Sequence, residues 1–414
     1  MRKPRNRFSL WNTGLIKFRK VVVPPLLRLG RPLILVRRWL RPHKLSLGRV
    51  ESAGAGGQPP LAILCSGPST NKNYFLRIAF DGFPHQTDLG EVRLREVFRP
   101  GFALEKNCPL VVVETTRSHF NWLKPDGCFF IPLWVSGGVR LPVAKEAINN
   151  NSVKNDLRKI KRFGLEYSVT RDEARFLDFY HHLHVPYTKK AYGDEAFFDR
   201  LAEKRRLCES YDLLLVHKKS RPGYDIAGVM LVYEPAGPRV WSLGVREDGE
   251  DHVREGVIAA LYHFAFEHLA KKHSWVSLGG NRSFLHDGLL IFKTRLSQTL
   301  LESSWNGFAL KIAALTPAAK NFLLKTPFIF QAGGGLHSAV FVDEELSLEK
   351  IRRLHRHYLH PGLTRLVIHT FRDEENFPSA TLPSPLAACV TIRRASELLG
   401  KGSVRSIDTN PEAG

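Results

Sequence analysis

Between residues 211 and 278 the chain reads as three strands in series, a long helix and a fourth strand. This order limits the fold more than any other feature. The three strands fall at 211–217, 225–234 and 239–245, as short apolar runs bounded by turn residues. The helix spans 253–272. There Val257, Leu261, Phe264 and His268 recur at spacings of four, three and four, giving one nearly continuous apolar face. A strand at 275–278 follows directly. Antiparallel strands followed by a strand–helix–strand unit make a mixed α/β sheet.

The flanking sequence extends the pattern. Strands are expected at 61–65, 74–80, 110–115 and 128–135, and helices at 141–151 and 153–163, with Gly164 as a stop. A strand at 165–169 and helices at 172–184 and 195–208 come next. Beyond 303, helices at 310–324 and 346–358 and strands at 338–342 and 364–371 complete the reading. A length of 414 residues suggests two or three units. The expected boundaries are a basic arm at 1–50, a Gly/Ala/Pro-rich linker at 51–60, a first lobe at 61–150, a second lobe at 151–330, a C-terminal extension at 331–375 and an irregular tail at 376–414.

Charge marks the arm. The formal net charge is +21, and residues 1–49 carry 14 Lys or Arg and no Asp or Glu, which leaves +7 for the rest. Such an arm seeks polyanions, whether anionic lipid, nucleic acid or acidic glycan. Its most apolar stretch, 21–36, is interrupted by Pro24, Pro25, Arg28, Arg31 and Pro32, so it fails the test of about 20 apolar residues for a spanning helix. Basic residues interleaved with Leu, Ile, Val and Trp39 suit a membrane surface; a basic tail is the alternative. Five scattered cysteines without a CxxC fit a reducing compartment. The expected location is cytoplasmic, with the arm able to hold the protein at the inner face of the membrane.

Two segments carry candidate chemistry. The turn VREDGEDHVREG at 245–256 precedes the long helix, whose N-terminus suits phosphate. Gly249 and Gly256 permit close approach, and Arg246, His252 and Arg254 add positive charge. The functional reading is a pyrophosphate cradle for acyl-CoA or a nucleotide-linked donor. Glu247, Asp248, Glu250 and Asp251 oppose an anion and favour a solvated turn. The second segment, SLGGNRSFLHDGLLIFKTRLS at 277–297, ends a strand in Gly279 and Gly280. It gathers Asn281, Arg282, Ser283, His286 and Asp287 in a polar loop before Phe292 and Lys293. A Lys in a partly dry pocket stabilises an oxyanion or phosphate. The plainer reading is a surface lysine beside a core phenylalanine.

Other clusters point elsewhere. His181, His182 and His184, and likewise His355, His357 and His360, lack the Cys or carboxylate spacing of a zinc site, and no metal is expected. The glycines at 333–335 precede no Lys-Ser/Thr and form no P-loop. Lys154, Arg158, Lys159, Lys161 and Arg162 form a basic helix face, either solvated or touching a nucleotide, tRNA or sugar phosphate.

In order, these pieces resemble the GNAT superfamily of acyltransferases, and within it the two-lobed Fem-like peptidyl and aminoacyl transferases. The resemblance rests on the basic helix VKNDLRKIKRFG at 153–164, FLDFYHHLH at 176–184 with Phe197 and Phe198 beyond, AGVMLVYE at 227–234, and the Gly-Gly-Asn-Arg-Ser-Phe…Asp-Gly…Phe-Lys run. It covers roughly 150–300 well and 61–150 loosely. It implies a largely antiparallel GNAT-type sheet in two GNAT-like lobes. The implied reaction is direct attack by an amine on a thioester or ester carbonyl, with no covalent enzyme intermediate. Phe292 and Lys293 match the family's catalytic pair, with Asp287 or His286 as base or orienter. Asn281, Arg282 and Ser283 would bind substrate, and Arg246, Gly249, Arg254 and Gly256 the donor. The donor is acyl-CoA by superfamily default and aminoacyl-tRNA in the Fem branch. The acceptor is a small-molecule or nucleotide-linked amine, such as an amino sugar, amino acid or cell-envelope precursor. Two departures stand out: Thr294-Arg295-Leu296 replaces the family's Gly-Phe or Gly-Trp, and Arg246-x-x-Gly249 is half of the pyrophosphate signature. The competing reading is a non-catalytic GNAT fold that binds anionic membrane or nucleic acid through the arm. Apart from tRNA as donor, no nucleic-acid signature favours it.

Overall fold

The computed structural model describes residues 44–52, 60–80, 84–123, 126–144, 151–193, 210–248, 251–372 and 382–399. Most of the basic arm, most of the linker, the expected helix at 195–208, Gly249 and both ends of the expected tail lie outside the described residues.

The described residues open with β1 (Lys44–Glu51), β2 (Ala62–Ser66), α1 (Ser69–Ala79), β3 (His85–Arg93), β4 (Leu110–Thr116), α2 (Arg117–Leu123), β5 (Cys128–Pro132) and β6 (Val135–Arg140). Helix α3 (Asn151–Arg162) leads to β7 (Leu165–Thr170), α4 (Glu173–Asp178), a π-helical turn (Phe179–His184), α5 (Val185–Tyr192), β8 (Tyr211–Lys218), β9 (Asp225–Glu234) and β10 (Gly237–Val245). Then come α6 (Val257–Ala270), β11 (Trp275–Asn281), α7 (Gly288–Arg295), β12 (Thr299–Ser303), β13 (Asn306–Ile312) and α8 (Pro317–Lys325). The last elements are β14 (Phe328–Ala332), β15 (Gly335–Val342), α9 (Leu348–Tyr358), β16 (Arg365–Thr370), α10 (Ser384–Ala387) and β17 (Val390–Arg394).

Among the described residues three sheets result, in the orders β3-β1-β2-β4-β13-β5, β12-β6-β11-β10-β9-β8-β7 and β14-β15-β16-β17. The fold is mixed α/β. Parallel pairs occur at β2/β4, β10/β11, β15/β16 and β16/β17, and antiparallel pairs prevail in the first two sheets. Sheet membership does not follow chain order. Strand β6 belongs to the second sheet, and β13 enters the first between β4 and β5.

Each sheet is covered by helices that the apolar periodicity builds. Phe75 of α1 and Phe322 of α8 pack with Phe308 and Leu310 of β13. Val257 and Leu261 of α6 lie on Val229 and Leu231, as their spacing predicts. Phe179 and Leu183 of the π-helical turn pack with Leu215 and Met230. Ile351 and Leu354 of α9 cover Leu366 and Ile368.

Some expectations change. The strand expected at 74–80 is the second half of α1, whose apolar residues form one core face through Phe75 and Leu76. The helix expected at 310–324 is instead the end of β13 followed by α8, which starts at the Thr316 cap. Strand β13 has few exposed residues, so its apolar run lacks alternation and merges with that of the helix. Residues 141–144 are not helical, and 145–150 lie outside the described residues.

One buried histidine ties fold to pH. His369 of β16 is 1% exposed, stacked 4.9 Å from Phe341 and set edge-on to Phe129, and neither ring nitrogen has a hydrogen-bond partner. Burial, with Arg393 nearby, pushes its pKa down to about 3. The native state therefore favours the neutral ring. Stability is complete above the unfolded pKa of about 6.5 and is lost as pH falls towards 3. Between pH 7 and pH 5 the loss should be about 2 kcal/mol. Urea unfolding of His369→Phe should show a correspondingly shallower acid slope, and an unchanged slope would contradict the assignment.

Candidate functional site

Among the described residues, β10 and β11 are the parallel pair of the second sheet, and they keep a single register position. Strand β10 pairs with β9 from Gly237 to Val245, with an irregularity between Val240 and Leu243. Its register with β11 holds only at Arg239 and Ser277. Beyond that pair the strands part, and β11 continues to Asn281 paired with β6. A bulge bends and twists its strand, which is the local cause of the divergence. Gly244 supplies the second cause. A Cβ there would lie 2.4 Å from both His184 N and Leu183 C, so only glycine lets the π-helical turn press against β10. The His184 ring fixes the contact, with Nδ1 2.8 Å from the Leu243 carbonyl.

Lys293 lies at this parting. Helix α7 begins at Asp287, whose Oδ1 accepts from the N–H groups of Leu289 and Leu290, each at 3.0 Å. Lys293 is 4% exposed. Its Nζ donates to the carbonyls of Leu278 at 2.7 Å and Gly280 at 3.2 Å, in the stretch of β11 that β10 no longer pairs. Burial pulls its pKa down to about 8, and Asp287 acts in the opposite direction. Phe292 is half-buried, edge-on to Tyr262 at 5.4 Å, with the Arg295 guanidinium over its ring.

The polar loop residues separate into two groups. Arg282 lies between two aromatic faces, 4.3 Å from Tyr74 and 4.0 Å from Trp134. Its Nη1 donates to Asn71 Oδ1 at 3.1 Å, and Asn71 Nδ2 donates to Glu114 Oε2 at 3.1 Å. Tyr74 donates to Asp287 Oδ2 at 3.1 Å. Glu114, Asn71, Arg282, Tyr74 and Asp287 thus form one chain from the first sheet to the cap of α7. Burial raises the pKa of Glu114, while Asn71 and Arg282 oppose the shift. His286 is directed elsewhere, with Nδ1 3.1 Å from the Lys325 carbonyl and Nε2 3.0 Å from the Tyr358 hydroxyl. Asn281 is fully buried and donates to the Val135 carbonyl at 3.2 Å, while its Oδ1 has no partner. Ser283 is buried too, with Oγ unpartnered.

The turn before α6 is arranged differently. Arg246 donates from Nε to the Asp225 carbonyl at 2.7 Å and from Nη2 to Asp178 at 2.9 Å. Arg254 is exposed and pairs with Asp251 at 3.1 Å, so the two arginines share no partner. His252 is buried between Asp248 at 2.9 Å and Glu255 at 3.2 Å. Gly256 caps α6 at φ 91°, and Lys159 Cβ lies 3.2 Å from where its own Cβ would be. Gly249 lies outside the described residues.

Sequence reading missed Asn71, Tyr74, Glu114 and Trp134. The only signal was Glu114 itself, a carboxylate following Val111, Val112 and Val113 near the end of an apolar strand. In open sheets such strand ends are where ligands gather. A separate apolar cleft of about 300 Å³ lies between α3 and α6, lined by Leu157, Ile160, Ala259, Phe266 and Leu296 among others, with Arg295 at its α7 side. Among the described residues no cluster of three or more His, Cys, Asp or Glu is placed to hold a metal ion, and no helix is long and apolar enough to cross a membrane.

The fold is similar to solved GNAT-type and Fem-like structures. FemX is 11% identical and superposes at a TM-score of 0.33, covering 63% of this chain and 83% of its own. L-PGS from Bacillus licheniformis is 12% identical at 0.31, covering 64% and 80%. A tandem GNAT protein from the clavulanic acid biosynthesis pathway is 10% identical at 0.27, covering 65% and 82%. No family model and no curated protein matches the chain. At such identities and scores no residue role carries over from any of these structures.

Proposed function

We propose that this protein transfers an acyl or aminoacyl group from an activated donor to an amine. The observation that carries the proposal is the buried Lys293 ammonium, seated where β10 and β11 part. A donor carbonyl in the parting would meet strand edges whose hydrogen-bonding groups are not used by a neighbouring strand. An ammonium has three N–H donors and Lys293 uses two on carbonyls, so the third is available to a developing oxyanion. Glu114, with its raised pKa, is the proposed acceptor of the amine's proton, and Arg282 the ligand for an anionic part of donor or acceptor. Acyl-CoA is the donor favoured here and aminoacyl-tRNA the alternative. The acceptor class is an amine of an amino sugar, amino acid or cell-envelope precursor.

Calorimetric titration of the full chain with acetyl-CoA and with a longer acyl-CoA tests this directly. Saturable binding in the range of about 1 μM to 1 mM is expected for at least one of them. If neither binds, the tRNA-linked donor is tested in the same way, and failure of all three ends the transferase reading.

A further inference from the structure

We propose that the C-terminal sheet carries a second site, a pocket that holds a phosphate-bearing ligand. Helix α9 supplies the cationic wall. Arg352 and Arg356 are four residues apart and stand one helical turn from each other, with His355 beside them. Pro383, Pro385 and Leu386, in and beside α10, form the facing wall, and the open groove between the walls has a volume of about 310 Å³. Among the described residues no carboxylate lines it.

Two observations bear on this groove. Among the described residues neither Arg352 nor Arg356 has a hydrogen-bond or ion-pair partner, whereas Lys350 on the same helix pairs with Glu344. Like charges four apart on a helix repel. The helix dipole favours cations in the last turn, where His355 and Arg356 fall, but its effect fades before Arg352. A ligand anion between the two guanidiniums relieves that repulsion. The second observation is that His355 is held in place. Its Nε2 lies 3.3 Å from Cys389 Sγ, and that thiol contacts the Pro385 carbonyl at 3.2 Å. The imidazole is thereby tied to the opposite wall.

The chemistry selects phosphate. Each guanidinium fork takes two oxygens side by side, and two forks on one wall match the several oxygens of a phosphate or diphosphate better than a single carboxylate. The proline–leucine wall suits the apolar part of an organic phosphate. A soluble organophosphate and a lipid headgroup present this same chemistry. The site is independent of Lys293 and does not rest on the transferase reading.

The test titrates the full chain with inorganic pyrophosphate, and in a second arm sediments it with phosphatidylcholine vesicles containing phosphatidic acid. Both arginines are exposed, so Arg352→Gln/Arg356→Gln should fold normally. It should bind pyrophosphate weaker by about tenfold for each arginine. Arg353→Gln, next in sequence but outside the lining, should bind as the wild type does. The basic arm is expected to bind anionic vesicles as well, so the vesicle arm reads the difference between the double variant and the wild type: a weaker vesicle affinity in the double variant assigns a lipid headgroup, and an equal one beside lost pyrophosphate affinity assigns a soluble ligand. The proposal is overturned if pyrophosphate does not bind, if the double variant binds it as tightly as wild type, or if Arg353→Gln weakens it equally.

Discussion

Lys293→Met should lower turnover about 10²–10³-fold, the loss that follows removal of one oxyanion donor. The donor should still bind, because the parting of β10 and β11 depends on the bulge and on Gly244, not on this side chain. The pH dependence gives the sharper signature. Turnover needs the ammonium, so it should fall as pH rises through about 8. Glu114→Gln should alter the acid limb of the same profile, since its carboxyl is the group with the raised pKa. Stability should run the opposite way. The native state holds the Lys293 proton less tightly than the unfolded chain, which titrates near 10.4. Between about pH 8 and 10.5 the unfolded chain binds more protons, so stability rises with pH by about 3 kcal/mol, a slope that Lys293→Met removes. Wild-type turnover in the variant, or an unshifted basic limb, would remove Lys293 from the reaction.

Gly244→Ala should destabilise the protein by about 3 kcal/mol, the upper end of what overpacking costs. The added methyl meets main-chain atoms of Leu183 and His184, not the free end of a side chain, so no rotamer change relieves it. The π-helical turn must lift, and with it the His184 contact to the Leu243 carbonyl. Urea unfolding should show an earlier midpoint, and calorimetry weaker donor affinity. A variant as stable as wild type would show that the close approach of turn and strand is not what shapes the parting.

The middle of the second sheet was legible from periodicity: β8, β9 and β10 alternate with turns, and α6 repeats its apolar face, whereas β6 and β12, which complete the sheet, were not. Lys293 was legible as a residue but not as part of a helix. Leu289, Leu290, Ile291 and Phe292 are consecutive, and Leu289 and Ile291 are partly exposed, so α7 shows no period of 3.6. The Glu114–Asn71–Arg282 chain was out of reach for a different reason. Asn71 and Arg282 are 211 positions apart, and only the meeting of the first and second sheets brings them together. His286 and Asp287 are adjacent in sequence, yet α7 points one at Tyr74 and the polar chain while the other reaches Tyr358. Adjacency therefore said nothing about which of them could serve the site.

The exchange of β6 and β13 between sheets has a consequence for biosynthesis. Strand β5 finds its ladder partner in β13, which the ribosome adds some 170 residues later. Until residues 306–312 emerge, the nascent chain carries β4 and β5 with unpaired edges and the apolar face of α1 without Phe308 and Phe322 to meet it. Closing that gap is slow because distant segments must find one another. A ribosome stalled before residue 306 would therefore present an adhesive intermediate, and productive synthesis depends on shielding it until the late strand arrives.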